Sequence, residues 1–168
     1  MLIVDDGSSD ESISHIEKFI KNHNNFYLYR NKHQGKARAV ISGVQKASSE
    51  NILFSDMDQA TPIEEIDKLL PYLDKNFDVV IGSRNNARHG APLLRLFMAR
   101  GFMFLRRFIL GLGDISDTQC GFKLFSKKAA QEIFSRLRLY SSKTIARGPM
   151  VTAGFDVEVL FVAQKLGF

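Results

Sequence analysis

Strand and helix alternate without interruption from residue 2 to residue 82, and this order most constrains the fold. Leu2–Val4 reads as a short buried strand, and Asp5–Ser9 as a turn. Ile13, Ile16, Phe19 and Ile20 then share one helical face. Phe26–Tyr29 reads as a second strand, and Gly35 opens a helix whose inner side carries Ala37, Val40, Ile41, Val44 and Ala47. Asn51–Ser55 reads as a third strand. Thr61, Pro62 and Glu64 predict a capped helix start, with Pro62 at the first helical position. Phe77–Ile81 predicts a fourth strand. Alternation of this kind implies an α/β fold, a mostly parallel sheet flanked by helices. Ligands of such sheets bind at the carboxyl ends of the strands. Asp5-Asp6, Asp56-Met57-Asp58 and Gly82-Ser83-Arg84 all follow strands, so three polar motifs are expected on one rim.

Beyond residue 84 the regularity stops. Ala91–Gly113 predicts a long helix, rich in Leu, Phe and Met and carrying Arg95, Arg100, Arg106 and Arg107. A core helix can have this composition, and so can a helix lying in a membrane interface with its arginines at the headgroups. Four arginines argue against a spanning helix. Gln119–Phe125 predicts a strand, Ser126 a cap for a helix to about Leu137, residues 140–154 a loop, and Phe155–Leu166 a last helix.

Charge is divided along the chain. Residues 1–83 carry net −4, residues 84–148 net +10, and the remainder net −1. The basic block suits an anionic partner: phosphate, an acidic membrane surface or nucleic acid. Its aromatics fall on a helix and not on a sheet platform, which ranks nucleic acid last. The single Cys120 excludes an internal disulfide and a multi-cysteine metal cage. No nucleophile motif of the G-x-S-x-G kind is present.

Asp56 and Asp58 lie one residue apart at a strand end, where hard oxygen ligands suit Mg²⁺ or Mn²⁺. An isolated D-x-D is more often a solvated turn, and it is the neighbouring rim motifs that favour a cation site. The carboxylate of Asp5 or Asp6 can accept from a base N–H or ribose hydroxyls, or can close an Asx-type turn. Gly35-Lys36 places helix N–H groups and an ammonium where a diphosphate could sit, although no P-loop spacing occurs. Arg84 and Arg95 are candidates to grip an acceptor phosphate bidentately. The four histidines have no metal-ligand spacing: His15 and His23 read as solvated or structural, and His33 and His89 lie in loops near the rim.

At these residues the chain resembles family 2 glycosyltransferases of the GT-A fold. Within them it is most similar to the dolichyl-phosphate β-glucosyltransferases, relatives of the dolichyl-phosphate mannose synthases. The matching stretches are Val4–Asp10, Gly35–Gly43, Phe54–Thr61, Val79–Arg84, Asp117–Phe125 and Phe155–Glu158, in family order. The resemblance implies a Rossmann-like GT-A domain and an inverting transfer of glucose from UDP-glucose to dolichyl or polyprenyl phosphate. It implies that Asp5 or Asp6 touches the nucleotide, that Asp56 and Asp58 serve ribose, diphosphate and metal, and that Arg84 and Arg95 meet the lipid phosphate. Asp117 and Gln119 would lie near the transferred sugar.

Where the mannose synthases place a glutamine two residues after the second acid, this chain has Ala60, with Gln59 one residue early. That departure favours the glucosyl branch over GDP-mannose. Other acceptors, such as a carbohydrate, and a non-catalytic nucleotide-sugar-binding module are the alternatives. The resemblance also implies a further strand ahead of residue 1 and more chain beyond residue 168. Residues 1–168 are thus expected to be one incomplete catalytic domain, without its N-terminal strand. Membrane association through residues 92–111 is expected. The surface would be the cytosolic face of the endoplasmic reticulum in a eukaryote, or the inner face of the cytoplasmic membrane in a prokaryote.

Overall fold

The computed structural model describes residues 1–83, 111–113, 115, 117–140 and 153–168. The long helix expected over 91–113 and the loop expected over 140–154 fall largely outside these residues, as do Arg84 and Arg95.

Five strands and five α-helices are described: β1 (Leu2–Asp5), α1 (Ser12–Ile20), β2 (Tyr27–Arg30), α2 (Lys36–Lys46), β3 (Asn51–Ser55), α3 (Ile66–Leu73), β4 (Val79–Ile81), β5 (Phe122–Ser126), α4 (Lys127–Ser135) and α5 (Ala153–Leu166). β1 and β2 pair in parallel, in register from Leu2–Tyr27 to Asp5–Arg30. β3 and β4 flank β5, which runs antiparallel to both. The periodicity predicted β5 without its direction or its place between β3 and β4. Being antiparallel, β5 starts at the rim where β3 ends, with Ser55 opposite Phe122. The loop ahead of β5 therefore arrives beside Asp56.

The strand β5 reads as a continuous buried run because both of its faces are covered. Phe122 and Leu124 point one way and pack with Leu69 of α3 and with Cys120. Phe125 points the other way, into the main core. That core also holds Ala37, Ile41 and Val44 of α2, Ile133 and Phe134 of α4, and Phe155 and Val159 of α5. Phe125 and Phe134 meet edge to face at 5.6 Å, and Phe134 and Phe155 at 6.3 Å. Ser126 ends the strand and caps α4, its hydroxyl accepting from the Ala129 N–H at 3.2 Å.

One local expectation is corrected. Thr61 does not cap a helix. A 3-10 turn over Ile63–Glu65 precedes α3, and its cap position falls on Pro62, which is extended (φ −57°, ψ 145°) and has no hydroxyl to offer. Phe19, on the helical face it shares with Ile13, Ile16 and Ile20, is 44% exposed. It stacks on His23 at 3.9 Å and meets Phe26 edge to face.

Because Phe125 is fully buried at the centre of the main cluster, Phe125→Ala should destabilise the fold by about 3–5 kcal/mol in urea unfolding. Exposed Leu139→Ala serves as the control and should shift the midpoint little.

Candidate active site

The rim is built from four turns. The first follows β1. Asp5 is buried, and its carboxylate accepts from the N–H groups of Gly7 and Ser8, each at 3.0 Å. That is an Asx-type turn. Asp6 reaches across to the start of α2. One of its oxygens accepts from the Gln34 N–H at 3.0 Å, the other from the Gly35 N–H at 2.6 Å. His33 Nδ1 lies 2.9 Å from the second oxygen. Asp6 thus joins the β1 turn to the second turn, the one that opens α2.

Gly35 is the N-cap of α2, with φ +89° and ψ 164°, a backbone that a side chain would strain. This geometry aims Lys36 across the rim. Its ammonium lies 2.7 and 2.9 Å from the two oxygens of Asp56 and 5.5 Å from the centre of the Phe54 ring.

The third turn follows β3 and carries Asp56 and Asp58. The Asp56 N–H donates to the Gly121 carbonyl at 3.1 Å. Its carboxylate lies directly on Gly121, so that a Cβ there would overlap it. Asp58 is exposed, and one of its oxygens accepts from the Ala60 N–H at 3.0 Å. Its other oxygen is available to a ligand among the described residues.

The fourth turn leads into β5. Asp117 is buried and accepts from the Gln119 N–H at 3.1 Å, while the Gln119 side chain is exposed. Gly82, at the end of β4, donates to the Phe122 carbonyl at 2.8 Å. A Cβ on Gly82 would sit 3.0 Å from the Cys120 sulfur and 3.2 Å from the Phe122 carbonyl oxygen, a tight approach. A groove of about 570 Å³ opens alongside, lined by Ala60, Thr61, Leu69, Gly82, Ser83 and Cys120 among others.

Asp6, Gly35, Lys36, Asp56 and Gly121 therefore form one connected chain of contacts. Asp58 projects from the same turn as Asp56, and Asp117 and Gln119 from the loop that Gly121 ends. Periodicity did not reveal Gly121 as the floor beneath Asp56; its only signal was a glycine directly ahead of an apolar strand. His33 has no spacing signal, because Asp6 lies 27 residues away in sequence. A third feature missed by the periodicity is Lys123, 1% exposed and ion-paired with Asp156 of α5 at 2.5 Å.

No group of three or more His, Cys, Asp or Glu side chains converges on a common point among the described residues. The chemistry of the donors still suits a hard divalent cation, because Asp58 offers an exposed carboxylate oxygen on the same turn as the Asp56 carboxylate. Mg²⁺ is commonly held by one or two carboxylates plus substrate phosphates.

The Asp5 carboxyl is held below its ordinary value of 3.8 by hydrogen bonds from the Ser8 hydroxyl and the Ser8 and Gly7 N–H groups, with help from Arg30 and against the effect of burial. A lowered folded-state value contributes stability that is complete above 3.8 and is lost as pH falls from there through the lowered value. Asp5→Asn should cost about 1 kcal/mol at neutral pH. The gap from the parent protein should close below that range in acid-dependent urea melts. Gly121→Ala should displace the Asp56 side chain and cost about 1–3 kcal/mol, read in the same melts.

Residues 1–134 match Glycosyl transferase family 2. The chain is 32% identical to the dolichyl-phosphate beta-glucosyltransferase of Drosophila melanogaster, over 99% of this chain and 51% of that protein. It is 33% identical to that of Mus musculus, over 99% and 52%, and 32% identical to that of Saccharomyces cerevisiae, over 98% and 52%. The chain thus spans about half the length of the curated relatives it matches. In three dimensions it resembles glucosyl-3-phosphoglycerate synthase from Mycobacterium tuberculosis, solved in complex with uridine diphosphate. The TM-score is 0.56 at 16% identity, covering 99% of this chain and 69% of that one. The likeness supports the GT-A architecture, and the match over residues 1–134 settles the wider question: this chain belongs to glycosyl transferase family 2.

Proposed function

We propose that this chain carries the donor site of an inverting glucosyltransferase that moves glucose from UDP-glucose to dolichyl or polyprenyl phosphate at a membrane surface. The observation that carries this reading is the Lys36–Asp56 contact, which joins the turn after β3 to the start of α2. The names of the relatives supply the acceptor class and the sugar.

In this reading Asp5 and Asp6 hold the turn that frames the nucleotide, and Gly35 and Lys36 face the diphosphate. The N–H groups at the start of α2 favour anions there. Asp56 serves ribose and diphosphate, and Asp56 and Asp58 would hold Mg²⁺ or Mn²⁺. When bound, such a cation neutralises charge on the departing diphosphate. Asp117 and Gln119 lie towards the sugar. Arg84 and Arg95, outside the described residues, are proposed to grip the acceptor phosphate, and residues 92–111 to meet the membrane. No described helix is long and apolar enough to cross one.

The chemistry is one in-line displacement. An oxygen of the acceptor phosphate forms a bond to C1 of glucose while the bond from C1 to the UDP oxygen breaks, its electron pair leaving with UDP. The acceptor is already an anion, so no general base is required. Catalysis then rests on positioning and charge stabilisation.

Asp58→Ala and Lys36→Ala should each lower kcat for glucosyl transfer by roughly 100-fold or more, with a smaller effect on folding. Asp58→Ala with full activity would sink the reading. Parallel assays with GDP-mannose and with a soluble sugar acceptor should give little product, and preference for either would reassign donor or acceptor.

A further inference from the structure

Lys123 presents a problem that the proposed chemistry does not solve. It lies in the middle of β5, between Phe122 and Leu124, and is buried against the main core. Its ammonium donates to the Asp156 carboxylate at 2.5 Å and also to the Cys120 carbonyl. It lies 5.9 Å from the centre of the Phe54 ring, the same ring that Lys36 approaches. Taking a lysine and an aspartate out of water is costly, and well-packed apolar residues in their place are often neutral or stabilising. A buried pair is therefore weak evidence for stability, and its contacts suggest what else it does.

Those contacts run to the rim. The Cys120 carbonyl belongs to the loop containing Asp117 and Gln119. The next residue, Gly121, accepts the Asp56 N–H and lies under the Asp56 carboxylate. Asp156 sits in the first turn of α5, where a carboxylate also suits the helix dipole. One ammonium thus ties the first turn of α5 to the peptide adjoining the floor of Asp56. We infer that Lys123 and Asp156 are positioning residues: together they hold the 117–121 loop, and through Gly121 the Asp56 carboxylate, in the arrangement that transfer requires. The inference rests on the donor-site reading of the rim.

The test is the double substitution Lys123→Met with Asp156→Leu, which removes both charges and leaves neither unpaired. Two readouts are needed. Backbone amide exchange at Asp56, whose N–H donates to the Gly121 carbonyl, should accelerate by about tenfold or more, while exchange in α4 stays as in the parent. The kcat for glucosyl transfer should fall by roughly 10- to 100-fold, with the donor KM changing much less, as displacement of groups that act in the transition state requires. Unchanged exchange at the rim overturns the inference, and so does accelerated exchange with unchanged kcat. If the double variant does not fold, Asp156→Asn, which keeps an acceptor for the ammonium but removes its charge, should give the same two changes at reduced size, about threefold each, and an unchanged value of either overturns the inference. A parent protein without transfer activity refutes the donor reading instead, and the exchange experiment still decides whether the pair holds the loop.

Discussion

The arrangement of the rim depends on one carboxylate, that of Asp56. Three constraints meet on it. The Lys36 ammonium draws it towards the start of α2, its own N–H is tied to Gly121, and the absence of a side chain at Gly121 lets it lie down on the loop. Remove any one and the turns after β1, ahead of α2, after β3 and ahead of β5 lose their common reference point. The energy of the Lys36–Asp56 pair is modest, because both side chains are about a third exposed. Its value is geometric. It fixes where the Asp56 carboxylate lies between the start of α2 and Gly121.

The antiparallel strand has a structural consequence. In an all-parallel sheet every strand would send its following loop to the rim, and its preceding loop to the far side. β5 is reversed between β3 and β4, so its preceding loop comes to the rim as well. That brings Asp117, Gln119 and Gly121 beside Asp56, from a part of the chain some 60 residues away. One strand direction thus joins the acidic first half of the sequence to the second half.

What the sequence discloses follows from what kind of physics sets each feature. Hydrophobic periodicity is local, so β1, α2, β3 and α4 were readable within a residue or two. Strand-end acids are local as well, which is why Asp5, Asp6, Asp56 and Asp58 stood out. Pairing direction is not local, and nothing in Phe122–Ser126 states which way that strand runs. Contacts across long separations, such as Asp6 with His33 and Lys123 with Asp156, leave no spacing signal. Lys123 did leave a faint mark, as a lone charge inside an apolar strand. Thr61 shows the converse, a good local signal overridden when Pro62 took an extended conformation and moved the helix start to Ile66.

The central claim is spatial: the turns bearing Asp6, Gly35, Asp56 and Gly121 surround one site for a nucleoside diphosphate and its cation. The most direct measurement is paramagnetic relaxation by Mn²⁺ bound with UDP, followed in the amide spectrum of the isotopically labelled protein. The account predicts that the amides of Gly35, Asp58 and Gly121 broaden together at low occupancy, while those of α4 remain sharp. Broadening centred on α1 or α4, or spread evenly over the surface acids, would contradict it.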